Sequence, residues 1–333
     1  MDYPLLELSQ QEVEIVNKFN NNSDLQFEKV SCLNCNSSNQ KVLFSNDRYG
    51  INQKTVLCIN CGLIFSNPRL TKSSAEFFYK SDIYRKLYGS KTDIELEKYS
   101  DRKFQTEFSL KREENLNLNK YYNQLFFDII NSLNIKYQTV CEIGAGAGWN
   151  LKPFKQIGKE VLGYEPSKFL SNISKKNNIN IIRGFSDDIT GEYDLVILKH
   201  VLEHFLNPVE ELKKIRKHIK KYLFIEVPGC INKIPSIQNA HNFYFSLNTL
   251  KSTLNKCGFK EIYFDYSRSN DFIFALFEKA NESEDFYYNN SQEIARVLKI
   301  HKKFCVKRDF KKILKKIHPN LGKIISKIYK KIF

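Results

Sequence analysis

The sequence predicts an α/β fold: a mostly parallel, seven-stranded sheet with helices on both faces. Two observations predict it. From residue 138, the short apolar runs "TVCEIGAG", "EVLGYEPS", "INIIRGF", "YDLVILKH" and "KYLFIEVPG" alternate with amphipathic helical stretches, the pattern of a parallel sheet covered by helices. Two later runs, "FKEIYFDYS" and "DFIFALFEKA", are separated by only a few polar residues. They read as an antiparallel hairpin that closes the sheet.

The other elements follow in order. Residues 1–70 form an N-terminal segment: a short helix and polar lead-in, then a compact unit at about 28–68 that holds four clustered cysteines. Residues 71–132 are charged and rich in Tyr and Phe. Their helical periodicity, as in "SSAEFFYKSDIYRKLYG" and "NLNLNKYYNQLFFDIINSL", predicts a helical linker or cap. The α/β domain takes residues 133–280, and a basic helical tail takes 285–333. No internal repeat is visible.

A chain of 333 residues, 42% hydrophobic and 14% aromatic, is long enough for two or three domains and a sizeable core. No run of 18 apolar residues occurs, so no transmembrane helix is expected. The opening "MDYPLLELSQQEVEIV" lacks a basic region followed by an apolar stretch, which predicts no signal peptide and a cytoplasmic protein. The net charge is +15, yet Arg296 to Phe333 alone carry 14 Lys plus Arg against one acid, Asp309. The body is therefore nearly neutral, and any electrostatic partner belongs to the tail.

The eight cysteines lie at 32, 35, 58, 61, 141, 230, 257 and 305. "CLNC" (Cys32, Cys35) and "CINCG" (Cys58, Cys61) are two C-x-x-C knuckles with 22 residues between them. Each knuckle can place two thiolates on one metal, and together they complete a tetrahedral Zn²⁺ shell. Gly62 suits the knuckle turn. All four positions are protein ligands, which points to a structural ion and leaves no open position for chemistry.

"TVCEIGAGAGWNLKPF" follows a strand-like run and leads into a helix. It sets Glu142, Gly144, Gly146 and Gly148 in the order E-x-G-x-G-x-G. Glycines there let the backbone approach a ligand closely, and the helix start beyond offers N–H groups to an anion. A dinucleotide fingerprint requires glycine where Trp149 stands. Glu165 lies 17 residues after Gly148, at the end of the next run, where a carboxylate can accept both hydroxyls of a ribose. Phe185 and Asp187 in "RGFSDDI" and Lys199 at the end of "YDLVILK" complete the expected cofactor set.

On these motifs, residues 138–279 resemble a class I S-adenosylmethionine-dependent methyltransferase with a Rossmann-like sheet. "YDLVILKHVLEHFLNP" and "AHNFYFSLNTLKSTLNKCGF" are similar to the family's later motifs. "CLNC…CINCGLIFSNPRL" resembles the zinc module that precedes such domains in bacterial proteins, many of them encoded among genes for surface polysaccharides or modified sugars. The resemblance implies S-adenosylmethionine as cofactor, structural zinc, and a small-molecule or sugar acceptor.

"LKHVLEHFLNP" sets His200, Glu203 and His204 in the order H-x-x-E-H. Within a helix that order marks an inverted zinc-peptidase motif. Here it follows a strand, and Asn207-Pro208 begins a fresh helix, so the segment lies at the rim of a ligand crevice and no peptidase is expected. Three roles stay open for it: packing and capping, a general base, or joint ligation of a divalent cation. The last has a family precedent in ubiquinone-pathway O-methyltransferases, whose first ligand is an acid where this chain has His200.

Methyl transfer from a sulfonium is an in-line displacement, in which the protein chiefly aligns the acceptor. A hydroxyl acceptor needs a base near neutral pKa, whereas a carbon acceptor must first form an enolate. His204 and His241 rank first as candidates, since imidazole titrates in the right range; His200, Glu203 and Tyr244 follow. The tail sets Ile313, Leu314, Ile317, Leu321, Ile324, Ile325, Ile328 and Ile332 at mostly helical spacing between lysines. That basic amphipathic pattern fits a membrane surface at the inner face of the cell membrane. Docking on the body and oligomer contact are the competing readings, and nucleic acid is disfavoured by the neutral body. An RNA methyltransferase and a non-catalytic scaffold are the rival functions.

Overall fold

The computed structural model describes residue 6 and residues 8–88, 126–176, 178–229, 237–266, 272–282 and 291–317. The first helix, α1 (Gln10–Asn20), is opened by a capping box in which Ser9 and Glu12 satisfy each other's backbone N–H. Next come β1 (Phe27–Glu28), β2 (Gln40–Asn46), β3 (Asn52–Cys58), β4 (Ile64–Ser66) and β5 (Arg69–Leu70), then α2 (Lys72–Lys80) and α3 (Asp82–Tyr88). The α/β part contributes β6 (Thr139–Ile143), α4 (Lys152–Gln156), β7 (Glu160–Tyr164), α5 (Lys168–Lys176), β8 (Ile181–Ile182), β9 (Tyr193–Lys199), α6 (Pro208–Arg216), β10 (Ile219–Pro228), β11 (Phe243–Tyr244), α7 (Leu247–Lys256), β12 (Phe259–Tyr266) and β13 (Phe272–Lys279). The last element, α8, spans Ser291–Ile317.

Seven strands form the main sheet in the order β12-β13-β10-β9-β6-β7-β8. The five strands from β10 to β8 run parallel to their neighbours, and β13 enters antiparallel between β10 and β12. This is the mixed sheet closed by a hairpin that the strand pattern predicts. Successive residues of one strand serve opposite faces. Cys141, Val196, Leu198, Leu223 and Ile225 join one core with Leu212 and Ile215 of α6 and Leu250 and Leu254 of α7. Val140, Leu195, Ile197 and Phe224 join the other with Phe154 of α4 and with Phe126, Phe127 and Ile130. Both faces are thus helix-covered, and burial of these strands on both sides explains their nearly unbroken apolar runs.

The cysteine-rich unit shares this core. Cys32, Val56, Cys58, Cys61, Leu63 and Phe65 belong to the same buried cluster as Ile143 and Val227. Its sheet, β2-β3-β4, is completed by β11, a strand from the α/β part, with Phe243 opposite Phe65 and Tyr244 opposite Ile64. Asn34 Nδ2 donates to Thr249 O (3.0 Å), and Lys256 Nζ donates to Leu33 O (3.2 Å), so α7 is fastened to the first knuckle.

The first part of the tail docks on this unit. Val297 of α8 is buried with Leu43, Phe44, Leu57 and Tyr244, and Ile294, Leu298 and Phe304 pack against them. His301 Nε2 lies 2.6 Å from Leu43 O. The predicted apolar positions from Leu321 onward, Cys230, and residues 89–125 of the linker lie outside the described residues.

Candidate active site

Three glycines shape the turn after β6. Gly144, Gly146 and Gly148 have φ of +72°, +53° and +78°, the left-handed region glycine tolerates best. Gly144 N and Ala145 N donate to Tyr164 O at 2.8 and 3.1 Å, which folds the loop over the end of β7. An added Cβ at Gly144 would lie 2.6 Å from Val201 Cγ2, and one at Gly148 would lie 2.8 Å from Ile179 Cγ2. At Gly146 it would meet nothing within 4 Å. Two of the glycines therefore serve packing, and Gly146 opens onto space.

Buried Glu165 stands just past β7. Its Oε2 accepts from Gly146 N (3.0 Å) and its Oε1 from Ser167 N (2.8 Å). A carboxylate has about four lone-pair sites and can accept from several donors at once. Glu142 is fully buried; its Oε1 accepts from Asn150 Nδ2 (2.6 Å), and its Oε2 has no hydrogen-bond partner. Burial outweighs the Asn150 bond and the Lys199 charge and pushes its pKa up to about 7. An open glycine, an anchored carboxylate and an orphaned buried oxygen fit a nucleoside that carries an ammonium or hydroxyl group.

The other expected cofactor residues are placed differently. Phe185 is 63% exposed on the rim. Asp187 forms an exposed ion pair with Lys214 of α6 (3.0 Å), and among the described residues no contact joins it to the glycine loop. Lys199 Nζ lies 3.2 Å from Glu226 Oε2 and 5.3 Å from the centre of the Phe126 ring. Glu226 was not singled out from the sequence, although a lone acid in the apolar run "YLFIEVPG" is a legible signal. It is 2% exposed, and its second oxygen lies 3.1 Å from His200 Nε2.

The H-x-x-E-H segment is not helical throughout. His200 has φ +55°, an uncommon conformation for a residue with a Cβ. Its N–H reaches across to Glu226 O (2.8 Å). Only Leu202–His204 form a 3₁₀ turn. Burial would lower the His200 pKa, but Glu203 and Glu226 outweigh it and raise it to about 9. Glu203 is 1% exposed, and neither carboxylate oxygen has a hydrogen bond; its nearest ion-pair contact is His200 Nδ1 at 3.5 Å. Burial alone would raise Glu203, but the His200 contact holds it ionised, down to about 2.

His204 and His241 meet edge to face, ring centres 4.8 Å apart. His204 Nδ1 lies 2.9 Å from Ala240 O. A carbonyl only accepts, so Nδ1 carries the proton and Nε2 keeps its lone pair. Burial lowers the pKa of His204, and burial with neighbouring His204 lowers His241 to about 3. Both rings are neutral at pH 7. Glu203 Oε1 is 4.0 Å from His241 Nε2, and Glu203, His204 and His241 offer donor atoms all within 4.8 Å of one another. Tyr244 packs its ring 5.8 Å from that of His241 and donates its OH to Gln238 O (2.9 Å), and burial raises its pKa.

The four cysteines of the knuckles also converge. Cys32 Sγ and Cys61 Sγ are 3.4 Å apart, Cys35 Sγ and Cys58 Sγ 3.5 Å, and all four lie within 4.8 Å. Those gaps are too long for a disulfide, about 2.05 Å. They approach the edge of a tetrahedron with Zn–S near 2.3 Å, about 3.8 Å. The hydrogen bond with Cys58, together with burial, pushes Cys32 up to about 12, while contacts with Cys32 and Cys61 pull Cys58 down to about 2. Four sulfur atoms at this spacing offer one metal ion a complete set of ligands.

Residues 118–263 match the family model described as a methyltransferase domain. The sheet order and the Gly146–Glu165 cradle agree with that match, which marks these residues as a methyltransferase domain. Among solved structures, the chain is similar to magnesium protoporphyrin IX methyltransferase from Synechocystis with bound SAH: 14% identity, covering 63% of this chain and 100% of that one, TM-score 0.44. A SAM-dependent methyltransferase from Clostridium acetobutylicum gives 6% identity, coverage of 53% and 99%, and TM-score 0.44. One from Thermotoga maritima gives 17%, 52% and 96%, and 0.41. Likenesses this distant do not carry the assignment, which stands on the family match and the site. No curated protein matches the chain.

Proposed function

We propose that the protein transfers a methyl group from S-adenosylmethionine to a sugar or sugar-linked acceptor in bacterial surface glycan synthesis, with a structural zinc ion on Cys32, Cys35, Cys58 and Cys61. The observation that carries the transfer is a juxtaposition at the C-terminal ends of the parallel strands. The cradle of Gly146 and Glu165 follows β6 and β7, the cluster of Glu203, His204 and His241 gathers after β9, and Val201, from the segment after β9, packs against Gly144. The sugar acceptor is supported by the resemblance of the knuckle motifs to modules that precede sugar-modifying methyltransferases. The zinc is supported by the spacing of four sulfurs. The 14 basic residues from Arg296 onward, against one acid, support a tail end that meets an anionic surface, where a lipid-linked acceptor would reside.

Bound S-adenosylmethionine supplies a methyl already activated on a sulfonium. This chain's residues do the rest. Glu165 takes the ribose hydroxyls, and Gly146 lets the ligand approach the backbone. His204 is the base: its Nε2 would take the proton of the acceptor as the acceptor's bond to the methyl carbon forms and the methyl–sulfur bond breaks, leaving a neutral thioether. Glu203, ionised and buried beside it, stabilises the resulting imidazolium. His200 is held protonated by Glu203 and Glu226; it serves as their counter-ion and not as a base.

Calorimetric titration of the full chain with S-adenosylhomocysteine, with metal analysis of the same sample, tests this reading. Binding that Gly146→Arg abolishes, with about one zinc per chain, is the expected result; nucleotide sugars and lipid-linked glycans are then screened as acceptors. Absence of binding to folded, metal-loaded protein overturns it in favour of a scaffold. Methylation of RNA, with affinity falling steeply in salt, overturns the sugar acceptor alone.

A further inference from the structure

We propose that Asp47, which belongs to the cysteine-rich unit, is a positioning residue for His204, acting through the backbone of residues 239 and 240. This rests on His204 being the base. Asp47 sits in the turn between β2 and β3 and is 2% exposed. Its Oδ1 accepts from Tyr49 N (2.8 Å) and Ile51 N (2.9 Å), which sets the turn. Its Oδ2 accepts from Asn239 N (3.0 Å), 192 residues away. The adjoining Arg48 repeats the link: Arg48 N donates to Ile237 O (2.8 Å) and Arg48 Nη2 to Gln238 Oε1 (2.8 Å).

The segment so clamped ends on the carbonyl that orients the base. Ala240 O accepts from His204 Nδ1 (2.9 Å) and from Tyr79 OH (2.9 Å). Beyond it, Ser66 N donates to Asn242 O (2.9 Å), and Asn242 N donates to Glu203 O (2.8 Å). The cysteine-rich unit therefore grips this segment on both sides of Ala240. The tautomer of an imidazole is set by the partner of its other nitrogen. If Ala240 O drifts, Nδ1 loses its acceptor, the proton can sit on Nε2, and the lone pair that faces the acceptor is lost. A buried carboxylate that accepts three backbone N–H bonds is a strong, charge-assisted anchor for such a segment. The cysteine-rich unit thus holds the segment that carries Ala240 O, and its β2–β3 hairpin decides which nitrogen of His204 is bare.

The test is ¹⁵N NMR of histidine-labelled full-length protein, wild type against Asp47→Ala and the isosteric Asp47→Asn, each also titrated with S-adenosylhomocysteine. Wild type is expected to show His204 as a single Nδ1–H tautomer. Asp47→Ala is expected to give a mixture with Nε2–H, and Asp47→Asn a smaller shift, because the amide keeps one oxygen for the turn. Affinity for S-adenosylhomocysteine should stay unchanged in both. A single unaltered tautomer in either folded variant overturns the proposal. Where neither variant folds, Arg48→Ala loosens the same clamp at its second contact, and an unaltered tautomer there overturns it equally. Loss of S-adenosylhomocysteine binding by the wild type itself would instead remove the function on which the proposal rests.

Discussion

Alanine substitutions at the three loop glycines separate packing from ligand contact. All three backbones are left-handed, so each Gly→Ala change costs about 1–2 kcal/mol in backbone strain. At Gly146 that is the whole cost, since the new methyl meets nothing within 4 Å. At Gly144 the methyl arrives 2.6 Å from Val201 Cγ2, and at Gly148 2.8 Å from Ile179 Cγ2, with Ile179 Cβ at 3.0 Å. Overpacking of that kind adds about 1–3 kcal/mol. The expected order of destabilisation is therefore Gly146→Ala at about 1–2 kcal/mol and the other two at about 2–5 kcal/mol. Urea unfolding followed by circular dichroism measures it, with S-adenosylhomocysteine titration of each variant alongside. Gly146→Ala should stay well folded while losing more affinity than stability explains. Equal destabilisation at all three sites, or full affinity in Gly146→Arg, would refute the assignment of Gly146 as the position that faces the ligand.

Three further outcomes are expected. Glu165→Gln keeps one acceptor oxygen where the carboxylate uses two; loss of about 1.5–3 kcal/mol of charge-assisted bonding should weaken S-adenosylhomocysteine about 10- to 150-fold by calorimetry. Cys58→Ser removes one of the four ligands of the proposed zinc, so it should release the ion and, because Cys58 shares a core with the main sheet, lower the unfolding midpoint of the α/β part as well; metal analysis and thermal unfolding report both. The raised pKa of His200, to about 9, stabilises the folded state fully below its unfolded value of about 6.5 and progressively less as pH rises through 9. Wild-type stability should fall across that window, and Glu226→Gln should flatten the fall in a series of urea midpoints from pH 6 to 10.

Much of the fold was legible because burial on both faces imposes a simple code. β9 and β10 are apolar almost without break, since residues such as Val196 and Ile197 serve different cores. β8 was less legible: only Ile181 and Ile182 pair at the sheet edge, too short a stretch for periodicity to define. The site divides in the same way. Glu142, the three glycines and Glu165 lie on one βαβ unit, so their spacing alone brings them together. Asp187 lies beyond that unit and pairs with Lys214 of α6, a partner that its spacing from the glycines does not reveal.

The sequence by itself determined the sheet, the knuckle spacing and the glycine cradle, because each is local: a run of residues, a turn and the strand that follows. Only the tertiary structure decided how the cysteine-rich unit joins the rest, which histidines meet and what orients His204. His204 and His241 are 37 positions apart in the chain, and their meeting depends on β11 pairing with β4. The group that orients His204 is a backbone carbonyl, which has no side-chain signature to read. The anchor on that segment, Asp47, is bound to a backbone N–H nearly two hundred residues away. Interactions made by the main chain over such separations leave no pattern in composition or spacing, because every residue type except proline carries the same donor and acceptor.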